Sequence, residues 1–204
     1  MSELAGLSVA TIAWALVVWF FRRAKAWVPY YVVGAAGAAV LLVVLGRTSL
    51  PLELGMRSLT AWGATTLTGV LGISASVAKI DPGTILVTGS RLPEQRTALT
   101  VGLESSGLLE AAALVGLVAF LPVDRWPRRA RRVALTLAAS IAANVLRVSV
   151  IVTVLALAGQ SWLDFAHLFL ARFLFFVATA AIFWYAVTRP TIGAVRNRIA
   201  HERS

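Results

Sequence analysis

Apolar residues in this chain gather into six stretches, which are separated by shorter polar or basic segments. The stretches are residues 4–21, 30–45, 56–73, 107–123, 133–158 and 165–187. A helix of about 20 apolar residues is long enough to span the hydrocarbon core of a bilayer. The pattern predicts an all-α membrane protein, a polytopic bundle of about five to six transmembrane helices.

Residues 74–104, between the third and fourth stretches, are polar and mixed in charge. The sequence Asp81, Pro82, Gly83 is typical of a turn, and short runs at 85–87 and 99–101 indicate two strands. We therefore expect a short extracytoplasmic loop or hairpin here.

The positions of basic residues predict the orientation of the helices. Segments 22–25, 124–132 and 189–203 hold three, five and four Lys or Arg residues, against five spread over 47–104. Short cytoplasmic loops carry an excess of Lys and Arg, so the first three segments are predicted to be cytoplasmic. This orientation leaves stretch 56–73 without a complete crossing, and we expect an interfacial or re-entrant helix there.

Composition agrees with a membrane protein and argues against other classes. Hydrophobic residues make up 59% of the 204 residues and charged residues 14%, far from the usual balance of a soluble domain. The net charge of +10 comes from basic clusters beside apolar stretches, which act as topological anchors and not as a nucleic-acid surface. We expect one integral domain over 1–204 in the cytoplasmic membrane and in contact with its lipids. Its core is residues 56–187, and a basic cytoplasmic tail follows at 189–204.

Cysteine and histidine usage limits the chemistry. The chain has no cysteine, which excludes disulfides, thiolate metal sites and a cysteine nucleophile. It has only two histidines, and His201 lies in the polar tail. We therefore predict no metal site and no cofactor.

Three polar residues lie in or beside the last three apolar stretches, where a membrane disfavours them. They are Ser105, Arg147 and His167. A charged side chain within an apolar helix is costly and by default indicates function. The predicted orientation brings all three toward the outer leaflet, so we expect a single site there. Asn144 lies three residues before Arg147 and therefore shares its helical face.

Each of these residues also has a structural interpretation. Ser105 is a plausible helix cap, and Arg147 a partner that neutralises Glu110. His167 with Asp164 would form an interfacial polar cluster, and Asn144 would join two helices by a hydrogen bond.

Taken together, the three residues indicate acyl transfer. A serine hydroxyl becomes a good nucleophile when a neighbouring base removes its proton, and His167 is the candidate base. Arg147 holds its proton too tightly to act as a base, but its guanidinium suits an oxyanion or a substrate carbonyl. Asn144 is a candidate for orienting either partner.

The order of these residues resembles the exosortase/archaeosortase family of membrane transpeptidases. The resemblance covers roughly residues 56–187 and is carried by three motifs: Glu104, Ser105, Ser106, Gly107, Leu108; then Asn144, Val145, Leu146, Arg147; then His167. In that family the order is Cys-Ser/Thr-Gly, Asn-x-x-Arg and a downstream His. By matching positions, Ser105 stands at the nucleophile, Arg147 at the essential arginine and His167 at the third member. Glu104, Ser106, Gly107 and Asn144 become supporting or substrate-binding residues.

The resemblance also implies substrates. Such enzymes recognise exported proteins whose C-terminal signal combines a short motif, a transmembrane helix and a basic cluster. They cleave near the motif at the outer face, and a lipid or glycan precursor can accept the acyl group.

The chain departs from the family at the nucleophile, where Ser105 replaces cysteine. A thiol has a pKa of about 8.5 and ionises readily beside a histidine, whereas a serine needs concerted proton removal. Three explanations stay open: a natural serine variant, an engineered replacement, or a relative that binds without cleaving. The absence of any other cysteine favours the first. A small membrane transporter is a further alternative, although no internal repeat supports it.

Overall fold

The computed structural model describes residues 2–88, 96–102, 105–122 and 126–202, and its chain is mostly helical. The helices are α1 Ser2–Arg23, α2 Trp27–Thr48, α3 Leu50–Val70, α4 Leu108–Ala119, α5 Trp126–Ala158, α6 Leu163–Phe165, α7 Ala171–Phe183 and α8 Arg189–Glu202. The strands are β1 Ala75–Val77, β2 Thr84–Thr88 and β3 Arg96–Thr100. The predicted all-α class with a small hairpin is confirmed.

Four helical stretches of the described chain are long and apolar enough to cross a membrane. They are Gly6–Arg23, Trp27–Thr48, Trp126–Ala158 and Gln160–Arg196. Helix α4 is apolar but shorter, and α3 is not among the four although it has 21 residues. Because Glu53 and Arg57 lie within α3, its apolar character is weaker, as its sequence indicates. The multi-pass architecture is confirmed, and the interfacial placement of α3 stays a prediction.

One helix boundary differs from the sequence-based prediction, which places a basic loop at residues 124–132. Helix α5 begins at Trp126, so the basic residues from Arg128 to Arg132 are helical instead of forming a loop. Polar residues at the end of a membrane helix continue the backbone hydrogen bonding, which hydropathy alone does not register. The basic tail is helical too, because α8 extends to Glu202.

The last apolar stretch is helical throughout but irregular. A 3-10 turn at Gln160–Trp162 precedes α6, and π-helical turns at Ala166–Leu170 and Trp184–Thr188 flank α7. A π-helical turn inserts one extra residue per turn and is frequent at functional sites. His167 lies in the first of them.

The three strands form an antiparallel sheet in the order β1-β2-β3. Residues Ile85, Val87 and Val101 are fully buried and pack with Ala61 and Ala64 of α3. The small side chains of α3 allow this close packing, and alternation along β2 leaves its other face more exposed. The predicted strand at 85–87 is confirmed. The second strand begins earlier than predicted and ends at Thr100, and β1 was not predicted.

The chain divides into two compact units. One contains Met1–Leu45, Ala111–Leu137 and Phe183–Ser204, and the other contains Gly46–Glu110 and Ala138–Ile182. The first unit has a core of Val118, Leu121, Ala186 and Val187. The second unit holds the sheet and every candidate site residue that the structure describes. The prediction of one integral domain stays a prediction.

Candidate active site

Ser105 lies in the turn between β3 and α4. Its backbone N–H donates to the carbonyl of Gly102 at 3.1 Å. The next residue, Ser106, is buried, and its hydroxyl accepts the N–H of Leu108 at 3.4 Å. Gly107 has φ +74°, a left-handed conformation that glycine adopts without strain. Ser106 therefore caps the start of α4. The Ser105 hydroxyl is not used for this cap.

Asn144 of α5 holds this turn by a side-chain hydrogen bond. Its side-chain Nδ2 donates to the carbonyl of Ser105 at 2.9 Å and to the Thr60 hydroxyl at 3.3 Å. A Cβ on Gly107 would lie only 2.8–3.1 Å from the Asn144 side chain, so no larger residue fits there without movement. Asn144 is 1% exposed. The asparagine thus fixes the backbone of the residue predicted to be the nucleophile.

Ser105 and His167 line one cavity of about 550 Å³ in the second unit. We call it the Ser–His cavity, and its lining is Arg47, Leu99, Thr100, Gly102, Ser105, Leu163, Asp164 and His167. Both Ser105 and His167 are half-buried. Within the described chain, no side chain hydrogen-bonds to the Ser105 hydroxyl. The predicted nucleophile and the predicted base therefore share an accessible space.

Arg147 lines a different cavity of the same unit, with a volume of about 390 Å³. We call it the arginine cavity, and its lining is Leu109, Glu110, Arg147, Arg172, Phe175, Phe176 and Thr179. Arg147 is 7% exposed, and its guanidinium lies 5.1 Å from the centre of the Phe175 ring. A cation over an aromatic face is stabilised by the ring quadrupole.

The arginine cavity contains buried polar atoms that are not satisfied. Arg147 Nε and Glu110 Oε2 both lack a hydrogen-bond partner in the part of the chain that the structure describes. The two side chains interact electrostatically, but no ion pair within 4.0 Å joins them among those residues. The simple neutralising pair considered from sequence is therefore not formed by direct contact.

The structure brings some predicted residues together and separates others. Ser105 and His167 share a cavity, and Asn144 holds the turn that carries Ser105. Arg147 follows Asn144 by three residues on α5, and it interacts electrostatically with His167 although it lines the other cavity. Glu104 lies outside the described residues. Across the described ranges, no group of three or more His, Asp or Glu side chains is arranged to hold a metal ion.

Sequence reasoning did not find two supporting contacts. The first is Arg57 of α3, whose Nε donates to the carbonyl of Val101 at 2.8 Å, four residues before Ser105. Its Nη2 also reaches Asp81 at 3.3 Å, which ties the hairpin to α3. The sequence offered one signal for this contact, because Arg57 is a charged residue within the apolar stretch 56–73.

The second is Phe175, whose contact with Arg147 needs the tertiary structure. The sequence shows only that Phe175 lies three residues after Arg172, on the same helical face. Phe169, Phe173 and Phe176 are exposed, whereas Phe175 is buried. Phe175 and Phe176 both line the arginine cavity, and of the two it is the buried Phe175 whose ring contacts Arg147.

Comparison with known families identifies a match over most of the chain. The family model described as transmembrane exosortase (Exosortase_EpsH) matches residues 1–184. This confirms the resemblance predicted from the three motifs, and the match includes α1 and α2 as well. Searches of curated proteins and of solved structures returned no match.

Proposed function

Since this chain belongs to the transmembrane exosortase family, and membership implies the processing of sorting signals, we propose that it cleaves such signals with Ser105 as nucleophile. His167 is the general base in this proposal, and Arg147 stabilises developing negative charge. The observation that carries it is the Ser–His cavity, which both Ser105 and His167 line. The Ser105 hydroxyl makes no hydrogen bond within the described residues.

The proposed reaction has two steps. In the first, Ser105 Oγ attacks the carbonyl carbon of the scissile peptide while His167 takes the hydroxyl proton. His167 returns that proton to the leaving amine, the C–N bond breaks, and an acyl ester remains on Ser105. In the second, water or an amine or hydroxyl of a lipid or glycan precursor attacks the ester, and Ser105 regains its proton.

Two charged groups support these steps in the proposal. Asp164 lines the Ser–His cavity and interacts electrostatically with His167, three residues later. A carboxylate in this position favours one orientation of the imidazole and stabilises its protonated form during transfer. Arg147 acts differently, because its positive charge opposes a protonated His167. Its support in the proposal comes from the unsatisfied Nε, which gives the guanidinium hydrogen-bonding capacity for the substrate.

The proposed substrates are exported proteins that end in a short motif, a transmembrane helix and a basic cluster. A transmembrane signal reaches the enzyme within the bilayer, and the enzyme has helices suited to the same environment. The positive-inside pattern directs the Ser–His cavity toward the extracytoplasmic side in this proposal.

Co-expression with a reporter tests the assignment. The reporter carries a C-terminal signal of this three-part form taken from the same genome, and loss of its terminal helix is followed by mass spectrometry. We expect Ser105→Ala to abolish processing, and Ser105→Cys to restore or increase it because a thiol ionises more readily. Ser149→Ala is the matched control and should leave processing unchanged, since its hydroxyl bonds to the Val145 carbonyl of its own helix. Processing that persists in Ser105→Ala would refute the nucleophile.

A second candidate is a relative that binds sorting signals without cleaving them. The observation that favours it is that, within the described residues, no hydrogen bond joins the Ser105 hydroxyl to His167. In that case the wild-type chain retains the intact reporter in co-purification and Ser105→Ala behaves identically. An acyl ester trapped on Ser105 excludes this candidate.

A further inference from the structure

Strand β3 has one edge that is not paired within the described residues. The sheet order is β1-β2-β3, and the register of β2 with β3 runs from Thr84 opposite Thr100 to Thr88 opposite Arg96. Thus β2 occupies one side of β3. An unpaired strand edge presents a row of backbone N–H and C=O groups that another chain can bind.

The hydrogen bonds of the sheet show which residues face that edge. Val101 N–H donates to the carbonyl of Gly83. Because antiparallel pairs alternate between bonded and non-bonded, the odd-numbered residues of β3 bond to β2. On β2, the carbonyl of Thr84 and the N–H of Thr88 bond to the β1 side, which agrees with this alternation. Ala98 and Thr100 therefore direct their backbone groups toward the unpaired edge, and both are exposed.

The same edge leads into the Ser–His cavity. Leu99, Thr100 and Gly102 line that cavity together with Ser105 and His167. The end of β3 is held in place, because Arg57 Nε donates to the Val101 carbonyl and the Ser105 N–H donates to the Gly102 carbonyl. A peptide lying along the edge would thus reach the predicted nucleophile by continuing in the same direction.

We propose that the motif segment of the sorting signal binds in extended conformation, as a fourth strand on the edge formed by Ala98 and Thr100. This inference rests on the proposed function for the identity of the substrate. Strand addition uses the peptide backbone for affinity and alternate side chains for specificity. It aligns the segment beside Ser105 without requiring a deep pocket for each side chain. β3 begins with Arg96, but residues 97–100, which lead to the Ser–His cavity, contain neither proline nor charge, the features that commonly protect an edge.

A matched pair of proline substitutions tests the edge. Ala98→Pro removes an outward N–H and places a ring against the incoming strand, while the odd-numbered bonds to β2 remain. Ala75→Pro makes the same change on β1, whose odd-numbered residues also face away from β2. We expect Ala98→Pro to lower reporter processing about tenfold, mainly through KM, and Ala75→Pro to change it little. Equal processing by the two variants would overturn the proposal.

A small probe separates this proposal from the proposed function. A fluorophosphonate forms a bond to an activated serine by displacing fluoride and is too small to need the strand edge. We expect it to label Ser105 equally in wild type and Ala98→Pro. If Ser105 is not labelled even in wild type, the nucleophile assignment fails, whereas strand addition is still decided by the cross-linking below.

Disulfide cross-linking reads out the bound geometry directly, because the chain has no cysteine of its own. Thr100→Cys is combined with reporters that carry one cysteine at successive motif positions. Side chains of an extended strand alternate between faces, so the cross-linking yield should alternate with a period of two. A uniform yield, a helical period or no cross-link would contradict strand addition. Homodimers linked through Thr100→Cys without reporter would show instead that a second copy occupies the edge.

Discussion

The Ser–His cavity and the arginine cavity lie in the same unit but differ in how their polar groups are satisfied. Around the first, the Ser105 carbonyl accepts from Asn144 Nδ2, and the Ser105 N–H donates to the Gly102 carbonyl. The Leu108 N–H donates to the Ser106 hydroxyl in the same turn. In the second, Arg147 Nε and Glu110 Oε2, which belong to charged groups, are buried without a described partner. Beside the first, the neutral Asn144 Oδ1 is also buried without one. A buried polar atom that lacks a hydrogen bond costs free energy, and in native proteins such atoms are few.

This difference indicates what each cavity contributes. Hydrogen bonds hold the turn at the Ser–His cavity, so the backbone of the proposed nucleophile is positioned before a substrate arrives. The arginine cavity keeps hydrogen-bonding capacity in an apolar helical setting, where an unmet charge is particularly costly. A ligand that brings its own acceptor would satisfy it. Four predictions test this comparison, beginning with the largest expected effect.

Replacing the buried guanidinium should separate activity from stability. We expect Arg147→Met to lower reporter processing about 100-fold to 1,000-fold, as loss of an oxyanion donor does, without lowering the melting temperature in detergent. The physical reason is that no ion pair within 4.0 Å is lost among the described residues, and removal of a desolvated charge offsets the lost contact with the Phe175 ring. Arg172→Met, at an exposed residue of the same cavity, is the control and should have a smaller effect on processing.

A structural ion pair would give the opposite result. Arg147→Met would then be destabilised, and adding Glu110→Gln would restore the melting temperature. That outcome would make the arginine cavity a packing feature and remove the contrast with the Ser–His cavity.

Gly107→Ala should disturb the frame of the Ser–His cavity most strongly. The positive φ of Gly107 disfavours any other residue, and the new Cβ would meet the Asn144 side chain. We expect the free energy of unfolding to fall by about 2–4 kcal/mol, from backbone strain together with overpacking. Gly69→Ala in α3 has nothing within 4 Å and should be neutral or slightly stabilising. Equal denaturation midpoints for the two variants would show that the turn adapts freely.

Asn144→Ala should have a smaller effect on stability but a specific one on activity. It removes the hydrogen bonds to the Ser105 carbonyl and to Thr60, so we expect a loss of about 1–2 kcal/mol and roughly tenfold slower processing. Ser149→Ala is a matched control on the same helix, because among the described residues its buried hydroxyl bonds to the carbonyl of Val145 within α5. A similar loss of processing in both variants would contradict a positioning role for Asn144.

The smallest effect is expected at the hairpin, through Asp81. Hydrogen bonds from the Thr84 hydroxyl and the Gly83 N–H, with a contribution from Arg57, hold the pKa of the Asp81 carboxyl below its ordinary value. Its contribution to stability is therefore present above the ordinary carboxyl pKa of about 3.9 and is lost as the pH falls through the lowered folded-state pKa. Hydrogen exchange of β2 amides, corrected for intrinsic rates, should show this loss, and Asp81→Asn should not. The same pH response in both proteins would exclude Asp81 as the cause.

The sequence predicted the helical class, the strand at 85–87 and the family, because each depends on local pattern or on ordered motifs. It did not predict β1, whose three residues acquire their partners only through β2. It also placed a loop where α5 begins at Trp126, since basic residues end an apolar pattern without ending a helix.

For the site, the sequence by itself selected Ser105, Arg147 and His167. A polar side chain in or beside an apolar membrane helix is costly to bury, so its presence indicates function. Only the tertiary structure assigned Ser105 and His167 to one cavity and Arg147 to another. Position along a helix determines depth, but the direction of a side chain depends on helix rotation, which packing decides. The π-helical turn at His167 changes that rotation locally, and the residue pattern did not predict this turn.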